Sequence, residues 1–224
     1  MARFSLEQKT EKKSKPADIY LKFRSGEKGF EGWNNKASEK VLIDEPFKFA
    51  VVSEYHTVSG YNNQHRTGVF ANEVQHIGKD PLIVRTWKPE GNIVAEGVWK
   101  EIKPVSESQG GHYTKSIYAV HEDGTPINLQ VSKSAAQVWS AFCKDFGGGY
   151  DNPNFNTHWV EFSGVQEMQN GSINYCVPIF SVGKKFTAKQ DEMIMGHAKD
   201  IEKYMKAYFS VVEEPELETD GMDF

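Results

Sequence analysis

Cysteine is scarce in this chain of 224 residues, and Cys143 and Cys176 are its only two. Two isolated thiols supply neither a disulfide framework nor a Cys-x-x-Cys zinc site. No apolar run approaches the length of a membrane span. Residues 1–16 are polar and lysine-rich, without the apolar segment of a secretory signal. The sequence therefore predicts an intracellular, cytoplasmic protein without a membrane partner.

The common catalytic motifs are also missing. The sequence contains no P-loop, no His-Glu-x-x-His and no Gly-x-Ser-x-Gly. Gly147–Gly149 are not followed by the Lys-Ser/Thr of a phosphate loop, and His56, His65 and His76 lack the spacing of metal ligands. We therefore predict no catalytic residue, no cofactor and no metal. A scattered set of carboxylates still leaves a metal-dependent DNA-processing enzyme open as an alternative.

Positive charge is absent from the last twelve residues, which hold six carboxylates and end on Phe224. Without their charge of −6, the formal net charge of the chain changes from −5 to +1. Such a segment buries too little apolar surface to offset the entropy of ordering it, so we predict a disordered acidic tail over residues 210–224. Like-charge blocks at a terminus are often interaction segments. The predicted partner-binding residues are Glu216, Glu218, Asp220, Asp223 and Phe224.

The body of the chain has a β-rich pattern. Phe47, Phe49 and Val51 alternate along one predicted strand, and Asp123-Gly124 and Asn170-Gly171 are typical hairpin turns. We also expect one strand over residues 93–102. Many short strands separated by turn signals favour a barrel or a sandwich.

Two helices interrupt the β pattern. Ala135, Val138, Trp139 and Phe142 have the spacing of a helical apolar face. Thr187 and Gln190 have capping-box spacing, which predicts a second helix over residues 188–209. The buried aromatic residues are predicted to be Trp99, Trp139, Phe142 and Trp159.

The predicted fold is therefore mainly β with two or more helices. We predict a flexible basic arm at residues 1–18, then a single OB-like barrel domain at residues 19–209 that ends in the C-terminal helix. An unrelated β-sandwich remains an alternative.

Basic and aromatic residues recur together in the body. Binding of a single strand without sequence preference needs cations for phosphates and flat rings for bases. Strand periodicity places Arg85 and Trp87 on one face, and Tyr113 and Lys115 on another. The full predicted set of DNA-binding residues is Lys22, Arg24, Trp33, Tyr55, Tyr61, Arg66, Arg85, Trp87, Tyr113 and Lys115.

The middle of the chain resembles a family of bacteriophage single-stranded DNA-binding proteins. The resemblance covers roughly residues 20 to 180 and lies in residues 70–74, 82–85, 97–103, 110–118 and 127–130. The acidic end closed by Asp223-Phe224 is similar to the C-terminal tip of prokaryotic and phage proteins of this function.

This resemblance implies an OB fold and a role in phage DNA replication or recombination in the cytoplasm of an infected bacterial host. It also implies that the tail recruits replication or recombination proteins and competes with DNA. An adaptor module that acts through its tail alone is a second alternative, and the sequence leaves a homo-oligomer open.

Overall fold

The computed structural model describes residues 16–87, 92–146 and 155–212. Within these residues there are eleven strands and three helices. The predictions for most of the basic arm, the glycine run at 147–149 and the acidic residues 213–224 lie outside this part of the chain. The elements in chain order are β1 Ile19–Arg24, β2 Gly29–Asn34, β3 Glu39–Ile43, β4 Phe47–Asn62, β5 Thr67–Ala71, β6 Leu82–Thr86, β7 Ile93–Gly97, α1 Trp99–Ser108, β8 Gly111–His121, β9 Pro126–Ser132, α2 Lys133–Asp145, β10 His158–Asn170, β11 Ile173–Lys185 and α3 Ala188–Val212.

The described strands form one sheet. Its path runs β3-β2-β1-β9-β8-β4-β5-β6-β7, and β10 pairs with both β4 and β11. The strands β1 and β9 are parallel, whereas their neighbours in the path are antiparallel. The β10–β11 hairpin folds back over the sheet, so that Phe162 of β10 contacts Phe30 of β2 with ring centroids 5.2 Å apart. The prediction of a mainly β fold with helices is confirmed, and the curled sheet is consistent with its barrel-like form.

The larger core lies between the curled sheet and α2. Alternate residues of β1 and β4 point into it, including Leu21, Phe23 and Phe49. Trp139 of α2 is fully buried there, and its indole N–H donates to Glu54 Oε2 at 2.7 Å. The predicted helical face around Trp139 is therefore confirmed, as are the predicted hairpins at Asp123-Gly124 and Asn170-Gly171.

A second core lies under α1 and corrects one prediction. The strand expected over residues 93–102 is wrong beyond Gly97, because that residue has a φ of 141° and ends β7. The chain then enters α1, whose Ile102 and Ser106 are buried one helical turn apart. Trp99 is half-buried against this core rather than fully buried, whereas the predicted burial of Trp159 is confirmed.

The helix α3 begins with the predicted capping box. The backbone N–H of Thr187 donates to Gln190 Oε1 at 2.9 Å, and the Gln190 N–H donates to Thr187 Oγ1 at 3.4 Å. The helix covers a tyrosine-rich part of the sheet on the face opposite to the larger core, where Tyr118, Ile201 and Met205 are buried together.

A buried carboxylate lies beneath α3. The hydroxyl of Tyr118 donates to Glu73 Oε2 at 2.9 Å, and Ser116 Oγ donates to Glu73 Oε1. The backbone N–H of Glu73 donates to the hydroxyl of Tyr208 on α3 at 3.0 Å. Burial raises the pKa of the Glu73 carboxyl, and the hydrogen bonds from Ser116 and Tyr118 oppose that shift.

We predict that the free energy of unfolding of Glu73→Gln, relative to that of the wild type, increases as pH rises. The Glu73 carboxyl has a higher pKa in the folded protein than in the unfolded chain. Its contribution to stability is therefore fully present below the pKa that it has in the unfolded chain, and is lost as pH rises through the pKa that it has in the folded protein. A neutral amide has no such loss. Urea unfolding at a series of pH values would measure the difference, with the exposed Glu192→Gln on α3 as the matched control. Parallel pH profiles for the wild type and Glu73→Gln would contradict the prediction.

Candidate functional site

A groove of about 610 Å³ lies where several strands end together. The parallel strands β1 and β9 both finish at this edge of the sheet, with Ser25 just beyond β1 and Ser132 at the end of β9. The antiparallel neighbours complete it, because β8 begins there at Gly111 and β4 ends there near Tyr61. The first turn of α2 and three residues of β11, Ile173, Tyr175 and Cys176, form the remaining wall.

Cations line this groove. Lys22 and Arg24 project toward it from β1, because Phe23 between them packs into the larger core. Lys133 joins them from the start of α2. Among the described residues that line the groove there is no carboxylate. Outside it, Glu31 reaches Arg24 Nε at 3.5 Å in a partly exposed pair that contributes little.

Lys22 holds its charge in a poorly solvated position. Its Nζ donates to Ser59 Oγ at 2.7 Å, and Ser59 Oγ is also hydrogen-bonded to Thr114 Oγ1. Burial, and then the positive charges of Arg24 and Lys133, together lower the pKa of Lys22 to about 8. An anion in the groove would replace lost solvation and offset the repulsion, so the site favours a negatively charged ligand.

The start of α2 adds to the positive potential. Lys133 has a φ of 54°, which turns the chain sharply out of β9 into the helix. No side chain caps this end of α2 in the described structure, and Ser134 and Ala135 of its first turn line the groove. Unpaired N–H groups at a helix N-terminus carry a partial positive charge that favours phosphate groups.

Exposed aromatic rings continue from the groove across β4, β5 and β6. Tyr61, on the groove wall, is 53% exposed, and Trp87 is 65% exposed. Both residues flank Gly68. Tyr61 is the cross-strand partner of Gly68, and the backbone N–H of Trp87 donates to the Gly68 carbonyl at 3.1 Å. A Cβ at position 68 would lie 2.5 Å from Trp87 Cδ1, so only glycine lets the indole lie this close to the strand.

Arg85 lies beside these rings. Its cross-strand partner is Phe70, which contacts Trp87 with ring centroids 4.9 Å apart. Phe70 in turn pairs with Ser59, the hydrogen-bond partner of Lys22. The cationic groove and the aromatic rings are therefore parts of one continuous surface, here called the groove face.

Five of the predicted residues meet on the groove face. Lys22, Arg24 and Tyr61 line the groove, and Arg85 and Trp87 lie next to it. A sixth, Arg66, is exposed in the tight turn that joins β4 to β5, where its φ is 50°.

The other four predicted residues lie elsewhere. Trp33 is exposed on β2, outside the groove. Tyr55 is half-buried beneath α3, against Phe209. Tyr113 and Lys115 share a strand face, as predicted, but it is the opposite face of β8.

Both residues on that face of β8 have close partners. Lys115 is only 13% exposed and pairs with Glu54 at 2.7 Å. The Tyr113 hydroxyl is hydrogen-bonded to His56 Nδ1 at 2.9 Å.

Sequence reasoning missed Lys133, Ser59 and His112. A signal was present for Lys133, because it lies two residues before Ala135, where the helical pattern starts. Its proximity to Lys22 depends on the parallel pairing of β1 with β9, which no local pattern indicates.

No family model, curated protein or solved structure matches the chain. Across the described ranges, no group of three or more His, Cys, Asp and Glu side chains could hold a metal ion. In the same ranges no helix is both long and apolar enough to cross a membrane. Cys143 and Cys176 are both buried.

Exposure predicts different roles for two tryptophans. Trp87→Ala should change the free energy of unfolding by less than about 1 kcal/mol, because surface substitutions are usually mild. Trp139→Ala should cost roughly 3–5 kcal/mol, because removal of the fully buried indole leaves a cavity and breaks the hydrogen bond to Glu54. Guanidinium unfolding of both variants measures the contrast. A Trp87→Ala loss as large as that of Trp139→Ala would mean that Trp87 supports the fold.

Proposed function

We propose that the protein binds single-stranded DNA on the groove face without strong sequence preference and acts in phage DNA replication or recombination. The observation that carries this proposal is the groove, whose described lining residues include no carboxylate and where Lys22, Arg24 and Lys133 converge beside exposed aromatic rings. Cations that track phosphates and rings that stack on bases are the two requirements for this kind of binding. The family resemblance supports the same function.

In the proposed mechanism, phosphates enter the groove and contact Lys22, Arg24, Lys133 and the first turn of α2. Neighbouring bases then stack on Tyr61 and Trp87. A single strand can turn its bases toward the rings, whereas a duplex keeps them paired inside. The protein is proposed to act by binding and not as an enzyme, so it needs neither catalytic residues nor a cofactor.

The acidic residues after α3 have two further proposed roles. The terminal segment competes with phosphate for the groove. It also recruits replication or recombination proteins in the cytoplasm of the infected host, through Glu216, Glu218, Asp220, Asp223 and Phe224.

Titration with fluorescent oligo-dT over a range of salt concentrations tests the groove. Lys22→Gln, Arg24→Gln and Lys133→Gln should each weaken binding and flatten the log–log salt dependence by about 0.7 per lost phosphate contact. The exposed Lys203→Gln on α3 is the matched control and should change neither.

Trp87→Ala in the same titration should weaken binding by about tenfold, since stacking contributes roughly 1–3 kcal/mol per base. Failure of the wild type to bind oligo-dT would refute the proposed function. If the slope of the log–log salt dependence is unchanged in all three groove variants, the groove is not the site that binds the phosphates.

DNA affinity should depend on pH through Lys22. Below the Lys22 pKa of about 8, the side chain is already charged in the protein without DNA, so the affinity for DNA does not change with pH. A bound phosphate raises this pKa, so binding above pH 8 takes up a proton and affinity falls by at most about tenfold per pH unit. In Lys22→Arg the side chain stays charged, so the DNA affinity of this variant should no longer fall above pH 8. The other residues that line the groove, including Cys176, are unchanged in this variant. An equal decline in wild type and Lys22→Arg would assign the proton to another group.

Removal of residues 213–224 should strengthen DNA binding, most at low salt, because their carboxylates no longer compete with phosphate. The Debye length is about 8 Å at physiological salt, so competition requires short-range contact. A matched control keeps the length of the segment but replaces its carboxylates with amides, and it should behave like the deletion. Deletion of Phe224 alone should leave DNA affinity unchanged and abolish partner recruitment. Equal affinity with and without the segment at every salt concentration would eliminate competition.

A further inference from the structure

A second cavity opens beside the groove and has a different chemistry. It has a volume of about 390 Å³ and shares His112 and Lys133 with the groove. The other residues that line it include Glu107 from the end of α1, Tyr113 from β8 and Gln137 from α2. We call this cavity the side pocket.

The walls of the side pocket are held in place. Lys133, Ala136, Gln137 and Ser140 have helical spacing and present one face of α2. The ring of Tyr113 on the other side is fixed by its hydrogen bond to His56 and by stacking on the same imidazole at a centroid distance of 5.8 Å.

The chemistry of the side pocket matches a nucleobase. The Tyr113 ring supplies a flat apolar surface, and Gln137 and Ser140 supply hydrogen-bonding groups. Burial, and then the charge of Lys133, lower the pKa of His112, which favours the uncharged form of its imidazole. An uncharged flat heterocycle fits this environment better than a second phosphate does.

Glu107 is the carboxylate that distinguishes the side pocket from the groove. Its nearest cation is Lys103, at the outer limit of an ion pair and exposed to solvent, so the carboxylate keeps capacity to accept hydrogen bonds. A carboxylate accepts two parallel donors best. Guanine presents two such donors side by side, N1–H and the 2-amino group. Adenine and cytosine place a repelling acceptor nitrogen beside their amino group, and thymine offers one N–H between two carbonyls.

We propose that the side pocket takes one base of a strand bound in the groove, and that Glu107 makes guanine the preferred base. This inference rests on the proposed function, because Lys133 would hold the phosphate next to the inserted base. The result is a chain that binds any single strand through the groove face and reads one position in the side pocket.

The test uses the full chain and short oligo-dT strands in which one central thymidine is replaced by dG, dA, dC or deoxyinosine. The dG strand should bind about tenfold more tightly than the others, as expected for one bidentate contact to a base. Deoxyinosine keeps N1–H but lacks the 2-amino group, so it should lose most of this preference.

Glu107→Gln should remove the preference for dG, measured as the ratio of the dG-strand affinity to the oligo-dT affinity within the same variant. In this variant, the dG and deoxyinosine strands should bind equally. That result would show that the Glu107 carboxylate recognises the 2-amino group of guanine. Glu101→Gln, exposed on the same helix outside the side pocket, is the matched control and should keep the preference.

The outcomes separate the two proposals. If plain oligo-dT does not bind, the proposed function fails and this inference fails with it. If oligo-dT binds and dG gives no advantage, or if the advantage survives in Glu107→Gln, the inference is wrong and the proposed function stands.

Discussion

The parallel pairing of β1 with β9 is the constraint on which the groove depends. Parallel strands end at the same edge of a sheet, so this pairing brings Lys22 and Arg24 next to the start of α2 at Lys133. The same pairing aligns Leu21 with Leu129 in the larger core. The free energy that holds three cations together therefore comes from apolar burial on the other face of the same strands.

Strand alternation links the core to the groove residue by residue. The residues of β1 alternate: Leu21 and Phe23 are buried, whereas Lys22 and Arg24 face the groove. A shift of β1 by one residue would exchange the two sets, so the register that fills the core also fixes the cations. The unfavourable solvation of Lys22 is therefore built into the native register and is available to be relieved by a bound anion.

Local signals allowed much of the fold to be predicted. Asn170-Gly171 marked a hairpin, the spacing around Trp139 marked α2, and Thr187 marked the start of α3. The helix α1 was missed because its apolar residues continue the pattern of β7 without a capping residue, and Val98 stands at the N-cap.

The candidate site was only partly predictable, because its residues meet through long-range pairing. Alternation placed Arg85 and Trp87 on one face. It could not show that Lys115 pairs with Glu54, because the register of β4 against β8 shifts at an irregularity between Val51 and Ser53. Nor could it show Lys133 beside Lys22. Patterns of period two describe one strand, whereas the partner of each side chain is set by the neighbouring strand.

The lowered pKa of Lys22 also has a consequence for covalent chemistry. Only the neutral amine of a lysine is nucleophilic, and near pH 8 about half of the Lys22 side chains carry it, while ordinary lysines remain almost entirely protonated. Small acylating reagents that enter the groove will therefore modify Lys22 ahead of the more exposed lysines. Among the lysines in the described part of the chain, the fold makes the Lys22 amine chemically distinct, and any occupant of the groove will shield it.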